Sequence, residues 1–164
     1  MNSLLAIPSV KKLIIVRHGN YDGSNGHLSE SGQRQIRDLA IKLRPFMQSR
    51  KKVMIASPMR RTVQTAEILE DVFRIKFITD IFLQTEDGSL PYHKAKAALD
   101  FLKVSDANLV IFVTHFEYGI DFLPFFLQRV FGKFVAAEAE LPRGGALVIH
   151  CRDGSSEVLQ GLSN

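Results

Sequence analysis

The chain has 164 residues with a formal net charge of +4, and 46% of its residues are apolar while 23% are charged. This length and composition are ordinary for one globular domain, and the single cysteine excludes both a disulfide framework and a cysteine-rich zinc site. A lone thiol favours a reducing compartment, so we expect a cytoplasmic protein. The basic residues are scattered and no tryptophan accompanies them, so we expect an anionic small group as the partner, and no nucleic acid.

The first predicted element is a buried strand over residues 13–16, which runs out into Arg17, His18 and Gly19. Four branched apolar residues without alternation predict a parallel strand that is covered on both faces. Ligands of open α/β sheets bind beyond the carboxyl ends of the strands, and a glycine lets backbone or ligand come close. An arginine beside a histidine at such a strand end suits a phosphate group, and a chance pair is the alternative.

A helix, a strand and a second helix are predicted next along the chain. A loop over 20–28 leads to an amphipathic helix, for which Ser29 is the predicted N-cap. The second strand is predicted over 52–56. Ser57 is then the predicted N-cap of the second helix, with Pro58 at its first position.

Two consecutive arginines near the start of this second helix are predicted to lie on different faces. Arg60 falls on a wholly polar stripe, whose other members at helical spacing are Gln64, Glu67 and Asp71. Arg61 shares its stripe with apolar residues, so Arg61 is predicted to face protein and Arg60 to face water. An inward guanidinium needs an anion, because burying it unpaired is costly. An internal salt bridge is the alternative.

The second half of the chain continues the alternation of strands and helices. We predict a strand over 74–81, a polar loop over 83–90, a helix over 91–103, a strand over 108–114, a helical segment over 117–131 and a last strand over 146–151. Strands that are separated by helices of this length imply right-handed βαβ crossovers. The predicted fold class is α/β, a three-layer sandwich with a mainly parallel sheet and helices on both faces.

Polar residues follow four of the predicted strands. They are Arg17 and His18 after the first, Ser57 and Arg61 after the second, the pair Glu86-Asp87 after the third and His115 after the fourth. A parallel sheet brings its carboxyl ends to one edge, so we expect these side chains to converge on one site. His115 taken alone is more typical of a satisfied histidine at a strand end.

Four motifs carry a family resemblance by their order and spacing. They are Arg17-His18-Gly19, Leu28-Ser29-x-x-Gly32, Ser57-Pro58-x-x-Arg61-x-x-Gln64-Thr65-Ala66 and Val113-Thr114-His115. Over residues 12 to about 150 the chain resembles the histidine phosphatase superfamily, whose fold is phosphoglycerate mutase-like. The chain is short for this family, so its size is more similar to the small SixA-type phosphohistidine phosphatases. A phosphatase is therefore favoured over a mutase.

The resemblance implies a metal-independent phosphatase in which the neutral imidazole of His18 attacks phosphorus and forms a phosphohistidine that water hydrolyses. Arg17, Arg61 and His115 would stabilise the charge on the phosphoryl oxygens. Neighbouring arginines keep the His18 nucleophile unprotonated, whereas we expect His115 to be protonated beside a bound dianion. The five histidines show no paired ligand spacing, so no metal or other cofactor is expected.

The general acid and a further phosphate ligand are the open positions of the predicted site. Members of the family that act on phosphate esters carry a glutamate after the third strand, so Glu86 is the predicted acid and Asp87 its reserve. Two solvated loop carboxylates are the alternative. Asn20 is a predicted substrate-binding residue beside Arg17, Arg61 and His115, although an asparagine that opens a loop is also typical of a turn.

The run His150-Cys151 resembles the opening of a cysteine phosphatase loop, but Glu157 stands where that loop needs its arginine. A carboxylate there would repel phosphate, so Cys151 is predicted to be a strand-end or core thiol. The phenylalanine-rich segment 116–134 is too charged for a membrane span. We expect it to be core, and a contact patch for a homo-oligomer is the alternative.

The predicted partner is a phosphorylated substrate, and we expect no association with a membrane. Because the loop after the third strand is short, little can cap the site, which favours phosphohistidine or a phosphoprotein over a small sugar phosphate. A catalytically weak phosphate-binding regulatory module with the same fold is the alternative function.

Overall fold

The computed structural model describes residues 3–85, 88–135 and 140–162. Its strands are β1 (Lys12–Arg17), β2 (Lys52–Ala56), β3 (Phe77–Thr79), β4 (Leu109–Thr114), β5 (Gly145–His150) and β6 (Ser155–Gln160). Within the described ranges they form a six-stranded sheet in the order β3-β2-β4-β1-β5-β6. The pairs β3/β2, β2/β4 and β4/β1 are parallel, whereas β1/β5 and β5/β6 are antiparallel.

Helices cover both faces of this sheet. They are α1 (Glu30–Leu43), α2 (Arg60–Phe73), α3 (Tyr92–Val104) and α4 (Leu123–Phe131), with a π-helical turn at Tyr118–Phe122 and 3-10 turns at Arg44–Phe46 and Ile81–Leu83. Alternate residues of β1 point to opposite faces. Ile14 packs in one core with Leu39 of α1, and Ile15 packs in the other core with Leu99 of α3 and Phe126 of α4. The predicted three-layer α/β fold with a mainly parallel sheet is confirmed.

The strand register brings the predicted site residues to one edge. Arg17 pairs with Thr114 across β1 and β4, so His18 and His115 follow side by side. Ala56 pairs with Val113, which places Ser57 next to them. The convergence that the parallel strands predict is therefore present in the structure.

Two boundaries at the ends of helices differ from the sequence prediction. The N-cap of α2 is Met59 and not Ser57, so the helix begins two residues later than its serine-proline signal predicts. The segment 117–131 starts as a π-helical turn and becomes α-helical at Leu123. Pro124 lacks an N–H group and cannot donate the bond that a continuous α-helix needs there, which accounts for the irregular turn.

The last strand is the largest difference in topology. β5 runs antiparallel to β1, and the hairpin partner β6 was absent from the prediction. β6 is exposed along most of its length and carries only a weak apolar alternation, so its strand signal is faint.

The phenylalanine-rich segment contributes mainly to the core. Phe122 and Phe126 are fully buried and contact each other with ring centroids 5.8 Å apart, whereas Phe134 is exposed. None of the helices in the described ranges has the length and apolar character to cross a bilayer.

Candidate active site

A pocket of about 230 Å³ opens beyond the carboxyl ends of β1 and β4. The described residues that line it are Arg17, His18, Tyr21, Arg61, Thr85, His115, Phe116, Glu117 and Arg143. Four of them are the residues that the sequence motifs single out: Arg17, His18, Arg61 and His115. The structure thus brings these four together, although nearly a hundred positions separate the first from the last.

His18 is buried with its two ring nitrogens in different environments. Nδ1 lies 2.9 Å from the carbonyl oxygen of Gly19, and Nε2 lies 3.1 Å from Nε of Arg61. A carbonyl can only accept and an arginine nitrogen can only donate, so the ring proton is on Nδ1 and Nε2 carries the lone pair. Burial is the main cause that lowers the pKa of His18 to about 3, and His115, Arg61 and Arg17 lower it further. His18 is therefore neutral at pH 7.

Arg17 lines the pocket with a partly buried guanidinium. One terminal nitrogen donates to the carbonyl of Leu141 at 2.8 Å, and the guanidinium lies 4.8 Å from the centre of the Phe116 ring. Its Nε atom is buried and has no hydrogen-bond partner among the described residues. Burial, and next the nearby Arg143, hold the pKa of Arg17 below its usual value. An anion in the pocket would compensate the charge of this guanidinium.

Arg61 and Arg60 have the environments that their helical positions predict. Arg61 is half-buried, lies 4.6 Å from the centre of the Tyr21 ring and donates to His18. Arg60 is exposed and contacts His27 at 2.9 Å, outside the pocket.

His115 is held next to His18 by the residue that follows β2. Nε2 of His115 lies 2.8 Å from Oγ of Ser57, and the two histidine rings have centroids 5.5 Å apart. Burial, followed by Arg61 and Arg17, lowers the pKa of His115 to about 4. A bound dianion therefore has to raise this pKa before His115 can act as the cationic donor that the sequence analysis expects. Ser57, predicted as a helix cap, instead supports this imidazole.

The Gln64-Thr65 part of the third motif ties α2 to the loop that follows β1. Oγ1 of Thr65 donates to the carbonyl of Arg61 at 2.7 Å. The N–H group of Gly19 donates to Oγ1 of Thr65 at 3.4 Å. Oε1 of Gln64 accepts from the N–H group of Leu28 at 2.7 Å. These bonds fix the arginine against the histidine strand end.

The two motif glycines let the loop after β1 cross the start of α1. A Cβ atom on Gly32 would lie 2.0 Å from the carbonyl oxygen of Asn20, and one on Gly19 would lie 2.6 Å from the carbonyl oxygen of Gly32. Oγ of Ser29 accepts from the N–H group of Gly32 at 3.1 Å, as its predicted role as N-cap requires. Close contact with backbone atoms therefore requires glycine at both positions.

Asn20 is not brought to the pocket with the other predicted residues. Its side-chain amide donates to Oγ of Ser31 at 3.3 Å, and its N–H group donates to Oε1 of Gln35 at 2.9 Å. These bonds match the turn alternative. Glu86 and Asp87, the predicted acid and its reserve, lie outside the described residues.

Sequence reasoning missed Arg143 and Tyr21. The guanidinium of Arg143 lies 5.0 Å from the centre of the Tyr21 ring, which also contacts the His18 ring with centroids 5.3 Å apart. Arg143 precedes β5, and an antiparallel strand begins at the edge where its parallel neighbours end. In a parallel strand Arg143 would lie at the opposite edge, and the sequence pattern assigns no direction to this strand, so the position of Arg143 follows only from the structure.

Glu117 and Thr85 were missed as well. Oγ1 of Thr85 donates to Oε2 of Glu117 at 2.7 Å, and both side chains line the pocket. Glu117 is the carboxylate among the described lining residues, opposite three guanidinium groups. With both histidines neutral, the described lining therefore has a net charge of about +2 at pH 7, which matches a phosphate dianion.

Two other kinds of site receive no support from the described residues. Burial raises the pKa of the Cys151 thiol to about 12, which makes it a poor nucleophile. Within the described ranges, no group of three or more histidine, cysteine, aspartate or glutamate side chains could hold a metal ion.

The model of the histidine phosphatase superfamily (branch 1) matches residues 13–85 of the chain. The predicted resemblance to this superfamily is confirmed. The matched part contains Arg17, His18 and Arg61, while His115 lies beyond it. Among curated protein sequences, none matches this chain.

Solved structures show the same fold over nearly the whole chain. An open reading frame product from Mycobacterium tuberculosis is similar with a TM-score of 0.67 at 18% identity, over 93% of this chain and 97% of its own. A mycobacterial glucosyl-3-phosphoglycerate phosphatase gives 0.67 at 13% identity, over 93% and 98%. The protein histidine phosphatase SixA, solved with tungstate, gives 0.62 at 17% identity, over 92% and 96%.

At such low identity these structures establish the fold alone, which is that of the phosphoglycerate mutase-like histidine phosphatases. The family match supports a phosphatase as the class of protein.

Proposed function

We propose that this protein is a metal-independent phosphatase with His18 as its nucleophile, which forms a phosphohistidine intermediate. Its substrates are phosphohistidine or phosphoprotein groups, or other phosphomonoesters. The observation that carries the proposal is the lone pair of His18 Nε2, which faces Arg61 in a pocket with three guanidinium groups.

The geometry supports an in-line displacement at phosphorus. Nδ1–H of His18 is held by the carbonyl of Gly19, so the ring is oriented and Nε2 stays available as nucleophile. A phosphoryl group beside Nε2 would take over the donor of Arg61 and lie next to the Arg17 guanidinium, which lines the same pocket. These preorganised charges stabilise the oxygens of a loose transition state. SixA was solved with tungstate, an oxyanion of related shape, which fits this use of the pocket.

The size of the pocket favours a protein-borne substrate. Pockets that enclose whole small ligands have volumes of about 300–1,000 Å³. The pocket that the described residues line measures about 230 Å³, and most of its lining is charged or polar. Such a pocket recognises the phosphoryl group itself and leaves the rest of the substrate outside. We therefore infer that phosphohistidine or a phosphoprotein is preferred over a small sugar phosphate.

The proposal is tested by turnover of a substrate panel. Purified wild-type protein, His18→Ala and Cys151→Ser are assayed with a phosphohistidine protein, an aryl phosphate and an alkyl phosphate. We expect wild type and Cys151→Ser to release phosphate and His18→Ala to lose essentially all turnover. A cysteine enzyme would show the reverse pattern. Phosphate binding by the wild type without any turnover would indicate the regulatory module instead.

A further inference from the structure

We propose that Glu117 is the proton donor and acceptor of this site. The assignment rests on the proposed phosphatase function. It differs from the sequence prediction of Glu86, which places the acid after the third strand.

The position of Glu117 is fixed by the chain that leads out of β4. Three hydrogen bonds tie this segment to residues 82–85: Oγ1 of Thr114 donates to the carbonyl of Leu83 at 2.6 Å, the hydroxyl of Tyr118 donates to the carbonyl of Phe82, and Thr85 donates to Glu117 at 2.7 Å. Both Thr114 and Tyr118 are fully buried, so the first two bonds belong to the core. A carboxylate between these anchors is held in place before substrate arrives.

One hydrogen bond orients the carboxyl group of Glu117 and leaves its second oxygen available. Thr85 occupies Oε2, and Oε1 has no hydrogen-bond partner among the described residues. The charge of Glu117 acts to raise the pKa of Arg17, but the Arg17 guanidinium donates its hydrogen bond to the carbonyl of Leu141 and not to Glu117. A carboxylate that only neutralised an arginine would be expected to pair with it directly. Glu117 therefore has one oxygen free to reach a leaving group in the pocket.

The proposed role gives a balanced pair of steps. Before the first step, the carboxylate of Glu117 takes up the proton of a monoanionic phosphate ester. In the first step, Nε2 of His18 forms a bond to phosphorus, the bond from phosphorus to the leaving oxygen breaks, and the protonated Glu117 gives its proton to that oxygen. In the second, water attacks phosphorus, the resulting carboxylate of Glu117 takes a proton from the water, and the P–N bond breaks with its electrons returning to Nε2. The products are the alcohol and inorganic phosphate, and the phosphate carries away the last proton on Glu117, so both side chains regain their starting states.

The test is the dependence of kcat/KM on the leaving group. This ratio reports transfer of the phosphoryl group to His18 whatever the rate of the later hydrolysis. Wild type, Glu117→Gln, Glu86→Gln and the control Glu67→Gln, which makes the same change on the exposed face of α2, are assayed with an alkyl phosphate, phenyl phosphate and 4-nitrophenyl phosphate.

An alkoxide needs a proton in the transition state, whereas 4-nitrophenolate leaves without one. Glu117→Gln should therefore reduce kcat/KM for the alkyl phosphate about 10²–10⁴-fold and that for 4-nitrophenyl phosphate less than about tenfold. Glu67→Gln should match the wild type on all three substrates.

Equal losses on all three substrates would show a structural role for Glu117 and overturn the assignment. Selective loss on the alkyl phosphate in Glu86→Gln, with Glu117→Gln unaffected, would return the role to Glu86. Either result leaves the histidine nucleophile intact, provided that wild type turns over and His18→Ala does not. If wild type shows no turnover, both proposals fail.

Thr85 is a positioning residue in this account. Thr85→Val removes the donor to Oε2 of Glu117, whereas Thr85→Ser retains a hydroxyl. Thr85→Val should show a weaker version of the selective loss on the alkyl phosphate, and Thr85→Ser should restore it. A loss of the same size with every leaving group would show that Thr85 only shapes the pocket.

Discussion

Arg60 and Arg61 are consecutive residues with the same charge, yet one faces solvent and the other faces His18. The difference arises from the turn of the helix alone. Each residue is therefore the natural control for the other.

Removal of Arg61 should destabilise the transition state far more than removal of Arg60. A preorganised charge donor contributes about 2.7–4 kcal/mol, so Arg61→Ala should lower kcat about 10²–10³-fold. Arg60 is exposed and outside the pocket, so Arg60→Ala should change kcat by less than about twofold, which corresponds to about 0.5 kcal/mol of activation free energy. Steady-state kinetics on an aryl phosphate measure both. Equal effects of the two substitutions would contradict the assignment of Arg61 to the clamp.

Among the elements, the crossing of the loop after β1 with the start of α1 depends on glycine. Gly32→Ala would place a methyl group 2.0 Å from the carbonyl oxygen of Asn20, two residues after His18. We expect a loss of about 1–3 kcal/mol in the free energy of unfolding, together with reduced turnover, because the backbone beside the nucleophile must shift. Gly23→Ala, which meets no atom within 4 Å in the neighbouring loop, should be nearly neutral.

Urea unfolding and turnover of both glycine variants measure these effects. If Gly32→Ala unfolds at the same urea concentration as Gly23→Ala and retains full turnover, the crossing does not determine the geometry of the site.

The elements also show how far sequence reasoning reaches. The strands β1, β2 and β4 are continuous apolar runs, and their parallel register alone brings Arg17, His18 and His115 together. These strands could therefore be predicted from the sequence alone. The phase of α2 was equally readable, because apolar and polar stripes separate Arg60 from Arg61.

What escaped prediction depends on contacts between distant segments. Arg143 reaches the pocket only because β5 is antiparallel. An apolar run in the sequence predicts a strand but not whether that strand is parallel or antiparallel to its neighbour. Glu117 lies at an irregular turn that Tyr118 anchors to a loop more than thirty residues away. Ser57 carries a strong N-cap signal, but its hydroxyl bonds to His115 instead, so tertiary contact prevails over local preference.

At the scale of the whole molecule, two buried neutral histidines make stability depend on pH. The folded chain holds the pKa of His18 at about 3 and that of His115 at about 4, whereas the unfolded value is about 6.5. Below pH 6.5 the unfolded chain binds protons that the folded chain does not, so the free energy of unfolding falls as pH falls. Their contribution is fully present above pH 6.5.

The expected loss is about 1.2 kcal/mol for each histidine between pH 6 and 5. Urea unfolding of wild type and His115→Gln at these two pH values measures it. The variant should lose about half of the dependence that the two histidines cause. An identical slope in wild type and variant would show that His115 is not held neutral in the folded protein.

The central claim is that Nε2 of His18 takes the phosphoryl group. It is tested most directly by mixing enzyme with substrate, quenching in alkali, in which phosphohistidine survives, and locating the phosphoryl group by mass spectrometry of the digested protein. We predict an acid-labile phosphoryl group on His18 that Cys151→Ser retains and His18→Ala lacks. A phosphoryl group on any other residue, or unchanged labelling in His18→Ala, would contradict it.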